Sequence, residues 1–212
     1  MKKTLREIPS KPRRSASIIG TGSYLPERIL TNADLEVMVE TSHQWIVERT
    51  GILERRIAGE NEFTSHMAAE AAKAAIENAG ITVEEIDLIL VGTITPDTVF
   101  PSTACHVQRL IGAKNATCFD VNAACSGFLY GVEIANQFIA NHTYDTVLVI
   151  GADKLSSIVN WKDRNTCVLF GDGAGAAILR SRPGSRGIIT THMGSDGNYA
   201  DILHMPGGGC AI

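Results

Sequence analysis

The sequence has little of what several specialised chemistries would require. Its five cysteines, at 105, 118, 125, 167 and 210, are odd in number and show no CxxC spacing, so neither a disulfide framework nor a zinc site is indicated. The six histidines form no HExxH pair, and no metal or other cofactor is expected. No apolar run approaches the roughly 20 residues that cross a bilayer, which argues against a membrane partner. A basic excess is also missing: the formal charge is −4, whereas a phosphate-tracking surface shows as positive charge, so nucleic acid is not an expected partner. The opening MKKTLREIPSKPRR is basic but leads into no apolar core of a secretory signal, and a cytoplasmic location is expected.

What is present is a chain of 212 residues with 44% hydrophobic side chains, enough for one large domain or two small ones. Residues 1–15 mix Lys, Arg, Pro and Ser and read as a flexible basic arm. Beyond them, strand-like and helix-like segments alternate. Strands are expected at 17–20, 86–91, 116–121 and 146–150, and helices at 32–39, 65–78, 103–111 and 126–140. The segment TSHQWIVERTGILERR, 41–56, is amphipathic and broken by a glycine. Short strands are expected at 167–170 and 174–179 on either side of GDGAG, read as a glycine turn, and another at 187–192. This pattern predicts an α/β fold with a sheet covered by helices on both faces. Neither glycine-rich stretch reads as a nucleotide site. GTGSYL has Leu25 in place of the third glycine, and no Lys-Ser or Lys-Thr follows GDGAG.

DVNAACSGFLYG, 120–131, places Cys125 where strand-like residues give way to helical spacing of Phe128, Leu129, Val132, Ala135, Phe138 and Ile139. That spacing predicts a nearly buried helix. A cysteine in its first turn meets unpaired N–H groups and the positive end of the helix dipole, which favour a thiolate. Small neighbours, Ala123, Ala124, Ser126 and Gly127, allow an acyl group to approach. Two readings stay open on the residues alone: a nucleophile, or a small side chain packed in the core.

Six stretches in order, IIGTGSYLP at 18–26, TNADLE at 31–36, WIVERTGI at 45–52, FPSTAC at 100–105, FDVNAACSGF at 119–128 and FGDGAGAA at 170–177, resemble β-ketoacyl-acyl-carrier-protein synthase III, a thiolase-fold condensing enzyme that starts bacterial fatty-acid synthesis. The resemblance covers about residues 16–206. It implies a thiolase-like, βαβ-rich N-terminal half over 16–182 with a mixed sheet, and the start of a second half over 183–212. It implies an acyltransferase that moves an acyl primer, expected to be acetyl, from coenzyme A to a cysteine and then onto malonyl-acyl carrier protein, within a homodimer. Cys125 matches the family's nucleophile. Trp45, Arg49, Thr50 and Arg164 match coenzyme A-binding positions, with Trp45 and Arg164 on opposite faces of the adenine. Phe100 and Phe170 match residues of the acyl pocket, Phe100 reaching across the dimer. Each has a plainer reading: Trp45 as core cover, the arginines as solvated charges, Phe100 as a loop anchor. The family's decarboxylating histidine and asparagine match nothing here, so these 212 residues are expected to be a piece of the enzyme, inactive alone. A relative that primes quinolones or polyketides, and a non-catalytic half assembling with a separate partner, are the alternatives.

Overall fold

The computed structural model describes residues 14–181 and 187–208. Most of the arm and the boundary proposed at 182/183 lie outside the described residues. Among the described residues, seven strands and five α-helices follow one another: β1 (Ala16–Tyr24), β2 (Arg28–Thr31), α1 (Asn32–Met38), α2 (His43–Thr50), β3 (Glu54–Ile57), α3 (Thr64–Ala79), β4 (Leu88–Gly92), α4 (Thr103–Ile111), β5 (Thr117–Val121), α5 (Gly127–Ala140), β6 (Thr146–Lys154) and β7 (Asp172–Ser181).

Local chemistry explains most of the ends. Thr31 caps α1 by accepting from Asp34 N–H, while the Asp34 carboxylate accepts from Thr31 N–H at 2.8 Å; this reciprocal pair satisfies two orphan donors. Ser42 and Ser102 cap α2 and α4 through their hydroxyls. Gly51, Gly80 and Gly112 terminate α2, α3 and α4 in the left-handed conformation, which costs glycine nothing.

The main sheet runs β1-β7-β6-β4-β5. β4 pairs in parallel with β5 and β6, while β7 is antiparallel to both β6 and β1. The parallel centre is buried and, Thr146 apart, apolar, LILVG in β4 and TVLVI in β6, because both faces are covered. On one face α3 and α4 bury Met67, Ala71, Ala75 and Val107 with Ile89, Val91 and Ile150. On the other, α5 buries Val132, Ala135 and Ile139 against Leu88, Leu90 and Val149. A third cluster, outside the sheet, joins α1, α2 and β3 to the segment before β7 through Leu35, Ile46, Ile57, Cys167 and Val168.

Three expectations need correction. Residues 167–169 form turns, and β7 begins inside GDGAG, at Asp172. Neither Gly173 nor Gly175 has a positive φ; Gly173 is small because Leu25 Cδ2 lies 3.1 Å from where its Cβ would sit. The segment 187–192 is not a strand. Ile188 N–H donates to Ala16 O at 2.8 Å, but Ile189 is 95% exposed and no ladder continues. Along α5 every residue is buried or partly buried except Leu129, which is 64% exposed. No described helix is long and apolar enough to cross a membrane.

Candidate active site

Cys125 lies in a short 3-10 turn, Ala124–Ser126, between β5 and α5. It therefore precedes the first α-helical turn rather than occupying it. The bend is tight: Ala124 has φ +45°, a conformation that costs a non-glycine residue on the order of 1 kcal/mol and is found where surrounding structure imposes it. Just beyond the bend, the chain meets Gly92 at the end of β4. A Cβ added there would lie 2.5 Å from the Gly127 carbonyl carbon and 2.7 Å from Phe128 N, so the head of α5 rests directly on β4 backbone. Cys125 is exposed, whereas Cys105 and Cys118 are half-buried and Cys167 is buried. Burial, with Cys105 beside it, pushes the Cys118 thiol up to about 12. Of the described cysteines, Cys125 alone is both exposed and seated at a helix head.

Cys125 opens on a cavity of about 260 Å³ lined by Gly92, Ala124, Phe128, Gly151, Ala152, Asp153, Gly171 and Gly173. Four glycines leave room for a small acyl group. Asp153 holds the wall in place: its Oδ1 accepts from the Thr93 and Thr95 hydroxyls, both at 2.9 Å, and from Ile94 N–H at 2.9 Å. The segment after β4 is thereby tied to the end of β6. Asp120, at the other side of the nucleophile turn, accepts from Thr103 N–H at 2.7 Å and Ala104 N–H at 2.8 Å. Burial raises its pKa, and these two bonds oppose the rise. Larger hollows beside α5, about 440 Å³, and beside Tyr24, about 560 Å³, contain no cysteine.

The remaining expected site residues fall into two groups. Trp45, Arg49 and Arg164 come together: Arg49 Cζ lies 4.5 Å and Arg164 Cζ 4.6 Å from the centroid of the Trp45 rings. The indole is half-buried on the third apolar cluster, so the core-cover reading describes part of its surface and the guanidinium contacts the rest. Thr50 sits at the end of the same helix, but its hydroxyl is used locally, donating to Ile46 O at 2.7 Å and accepting from Ile52 N–H at 3.0 Å. Phe100, in the segment before α4, is 84% exposed and stands apart from the cavity. Phe170 is half-buried, and it is its neighbour Gly171 that lines the cavity. Sequence reading missed Asp153, for which AD-K at a strand end gives no signal, and Arg55, a buried arginine in a run of charged residues. No group of three or more potential metal ligands occurs among the described residues.

In sequence and in fold the chain is similar to known proteins. A sequence model of the family described as 3-oxoacyl-[acyl-carrier-protein (ACP)] synthase III matches residues 119–197, which include Cys125. A β-ketoacyl-[acyl-carrier-protein] synthase III from Caldanaerobacter subterraneus subsp. tengcongensis is 57% identical over 195 residues, covering 92% of this chain and 59% of that protein. The crystal structure of 3-oxoacyl-[acyl-carrier-protein] synthase III from Aquifex aeolicus superposes with a TM-score of 0.78 at 55% identity, covering 79% of this chain and 54% of that one. The corresponding enzyme from Thermus thermophilus gives 0.85 at 42% identity, covering 89% and 58%. The chain thus spans about three-fifths of the length of the curated relatives it matches.

Proposed function

Sequence and fold alike are those of the amino-terminal part of a β-ketoacyl-[acyl-carrier-protein] synthase III, and on that premise we propose that the protein, at its full natural length, initiates fatty-acid synthesis. Its reaction is the condensation of an acyl-coenzyme A primer, acetyl in the simplest case, with malonyl-acyl carrier protein. The products are 3-oxoacyl-acyl carrier protein, CO2 and coenzyme A.

The described residues carry the first half of that chemistry. The Cys125 thiolate adds to the thioester carbonyl; the tetrahedral intermediate collapses with expulsion of the coenzyme A thiolate, which takes up a proton, and the acyl group stays on Sγ. In this reading the developing oxyanion is stabilised by backbone N–H groups at the nucleophile turn. The one observation that carries this reading is the exposure of Cys125 at the head of α5, opening on a glycine-lined cavity. Trp45, with Arg49 and Arg164 against it, offers a stacking surface and positive charge for a nucleotide diphosphate. In the second half, loss of CO2 from malonyl leaves a carbanion that attacks the acyl-cysteine carbonyl, forming the new carbon–carbon bond as the acyl–sulfur bond breaks and the Cys125 thiolate is released. No histidine lines the cavity among the described residues, so this part of the chain is not assigned the decarboxylation. Neither half involves a net gain or loss of electrons, so the reading calls for no external oxidant or reductant. Homodimer formation is part of the proposal, supported by β5 lying at the edge of the sheet and by the exposed Phe100. So is action in the cytoplasm.

The test is incubation of the full-length protein with radiolabelled acetyl-coenzyme A, followed by peptide mapping. Label is expected on the peptide carrying Cys125 and absent in Cys125→Ala; label that persists in the variant, or never forms, overturns the reading.

A further inference from the structure

Arg55 lies on β3 with only 4% of its surface exposed, and no carboxylate pairs with it among the described residues. A buried charge without a counter-charge is unfavourable, and burial pulls the guanidinium's pKa below the usual arginine range. Its donors are spent on just two acceptors. Nε donates to Val168 O at 2.9 Å and Nη2 donates to the same carbonyl, while Nη1 donates to Asn32 Oδ1. Asn32, itself 1% exposed, passes the connection on. Its Nδ2 donates to Ile52 O at 2.9 Å and stands 3.3 Å from His43 Nδ1.

One guanidinium therefore joins the two ends of α2, through His43 and Ile52, to the segment between β6 and β7 at Val168. These are the two walls that bring Trp45 and Arg164 face to face. Val168 stands between Arg164, at the Trp45 platform, and Gly171, in the wall of the Cys125 cavity. A purine stacked between ring and guanidinium needs two layers of contact, about 7 Å, yet Arg164 Cζ is 4.6 Å from the indole centroid. To admit a base, the Arg164 side chain has to swing away while the segment that carries it stays in place, and Arg55 grips that segment at the Val168 carbonyl, four residues after Arg164. We propose that Arg55 is a positioning residue that fixes the separation between α2 and the Arg164 segment, and thereby the fit of the nucleotide end of the acyl donor. This rests on the acyl-coenzyme A reading above.

A planar fork holding one carbonyl from two nitrogens is not reproduced by lysine, a single compact donor group. The experiment compares Arg55→Lys and Arg55→Met with wild type in the full-length protein, using acetyl-coenzyme A and acetyl-N-acetylcysteamine. The second donor carries the same thioester without the nucleotide. Loss of a hydrogen-bonded clamp is expected to reduce kcat/KM for acetyl-coenzyme A by about 10-fold or more, mainly through KM, with a much smaller reduction for acetyl-N-acetylcysteamine and a lesser loss in Arg55→Lys than in Arg55→Met. Equal losses on both donors would mean a role in folding alone and overturn the proposal, as would a variant that keeps the wild-type preference for acetyl-coenzyme A. If Arg55→Met does not fold, Arg55→Lys decides by the same ratio. A wild type that accepts acetyl-N-acetylcysteamine but neither uses nor binds coenzyme A would instead overturn the nucleotide reading of Trp45 and Arg164.

Discussion

Tyr24 Oη donates to Glu62 Oε1 at 2.6 Å, joining the end of β1 to the residue before the Phe63 cap of α3. That bond, then burial, then the Glu62 charge raise the phenol's pKa from 10.0 to about 12. The folded state therefore holds the proton more tightly than the unfolded chain. The stabilisation is fully present below pH 10 and is lost as pH rises toward 12. Tyr24→Phe is expected to cost about 1 kcal/mol at pH 8, a gap that urea unfolding should show narrowing above pH 10; a gap constant with pH would remove the bond from the account. Single residues also mark where sequence reading stopped. Cys125 was recognisable as a candidate because strand-like and helix-like spacing meet there, yet its exposure depends on where the cavity walls fall. Arg55 offered no such signal: in LERRI it resembles any surface arginine, and only the path of β3 beneath the 159–171 segment buries it.

Among the elements, the contact between β4 and α5 has the most direct consequence for the site. Since a methyl group at residue 92 would meet backbone atoms of Gly127 and Phe128 at 2.5–2.7 Å, neither of which can rotate aside, Gly92→Ala has to push α5 and the Cys125 turn outward. The expected result is a loss of about 1–3 kcal/mol in stability, with acyl-cysteine formation reduced even in protein that remains folded. Unchanged stability and labelling would show that the helix head has slack. Helices were the more legible elements, because a cap or a stop is written within four residues of the end it serves. The α4 bounds agree with the expected 103–111, and α3 runs one residue further at each end than 65–78. GDGAG was misread for a related reason. Glycines commonly signal turns, but here they keep a strand small enough to pass Leu25 and the cavity, which is a demand of the tertiary neighbours.

At the scale of the whole molecule, large apolar side chains remain uncovered: Leu129 on α5, and Ile189, Tyr199, Ile202 and Leu203 in the irregular segment 187–208. Surface of this kind promotes association. A protein of these 212 residues is expected to bind a hydrophobic dye such as ANS and to sediment with a concentration-dependent coefficient. A dye-silent, monodisperse monomer would contradict that expectation. The segment nevertheless has fixed points on α5, where Tyr130 Oη donates to Gly194 O at 3.0 Å and Thr191 Oγ1 donates to a Glu133 carboxylate oxygen at 2.6 Å.

The sequence by itself determined the alternation of strands and helices, the ends of the helices and the junction at which Cys125 sits, because each is governed by residues a few positions apart. Only the tertiary structure decided the sheet order, with β7 inserted antiparallel between β1 and β6, the seating of α5 on β4, and the gathering of Trp45, Arg164 and Arg55 around one segment. Those arrangements join positions from tens to more than a hundred residues apart, where backbone clearance and the need to satisfy buried donors select the contacts, and neither is visible in local spacing.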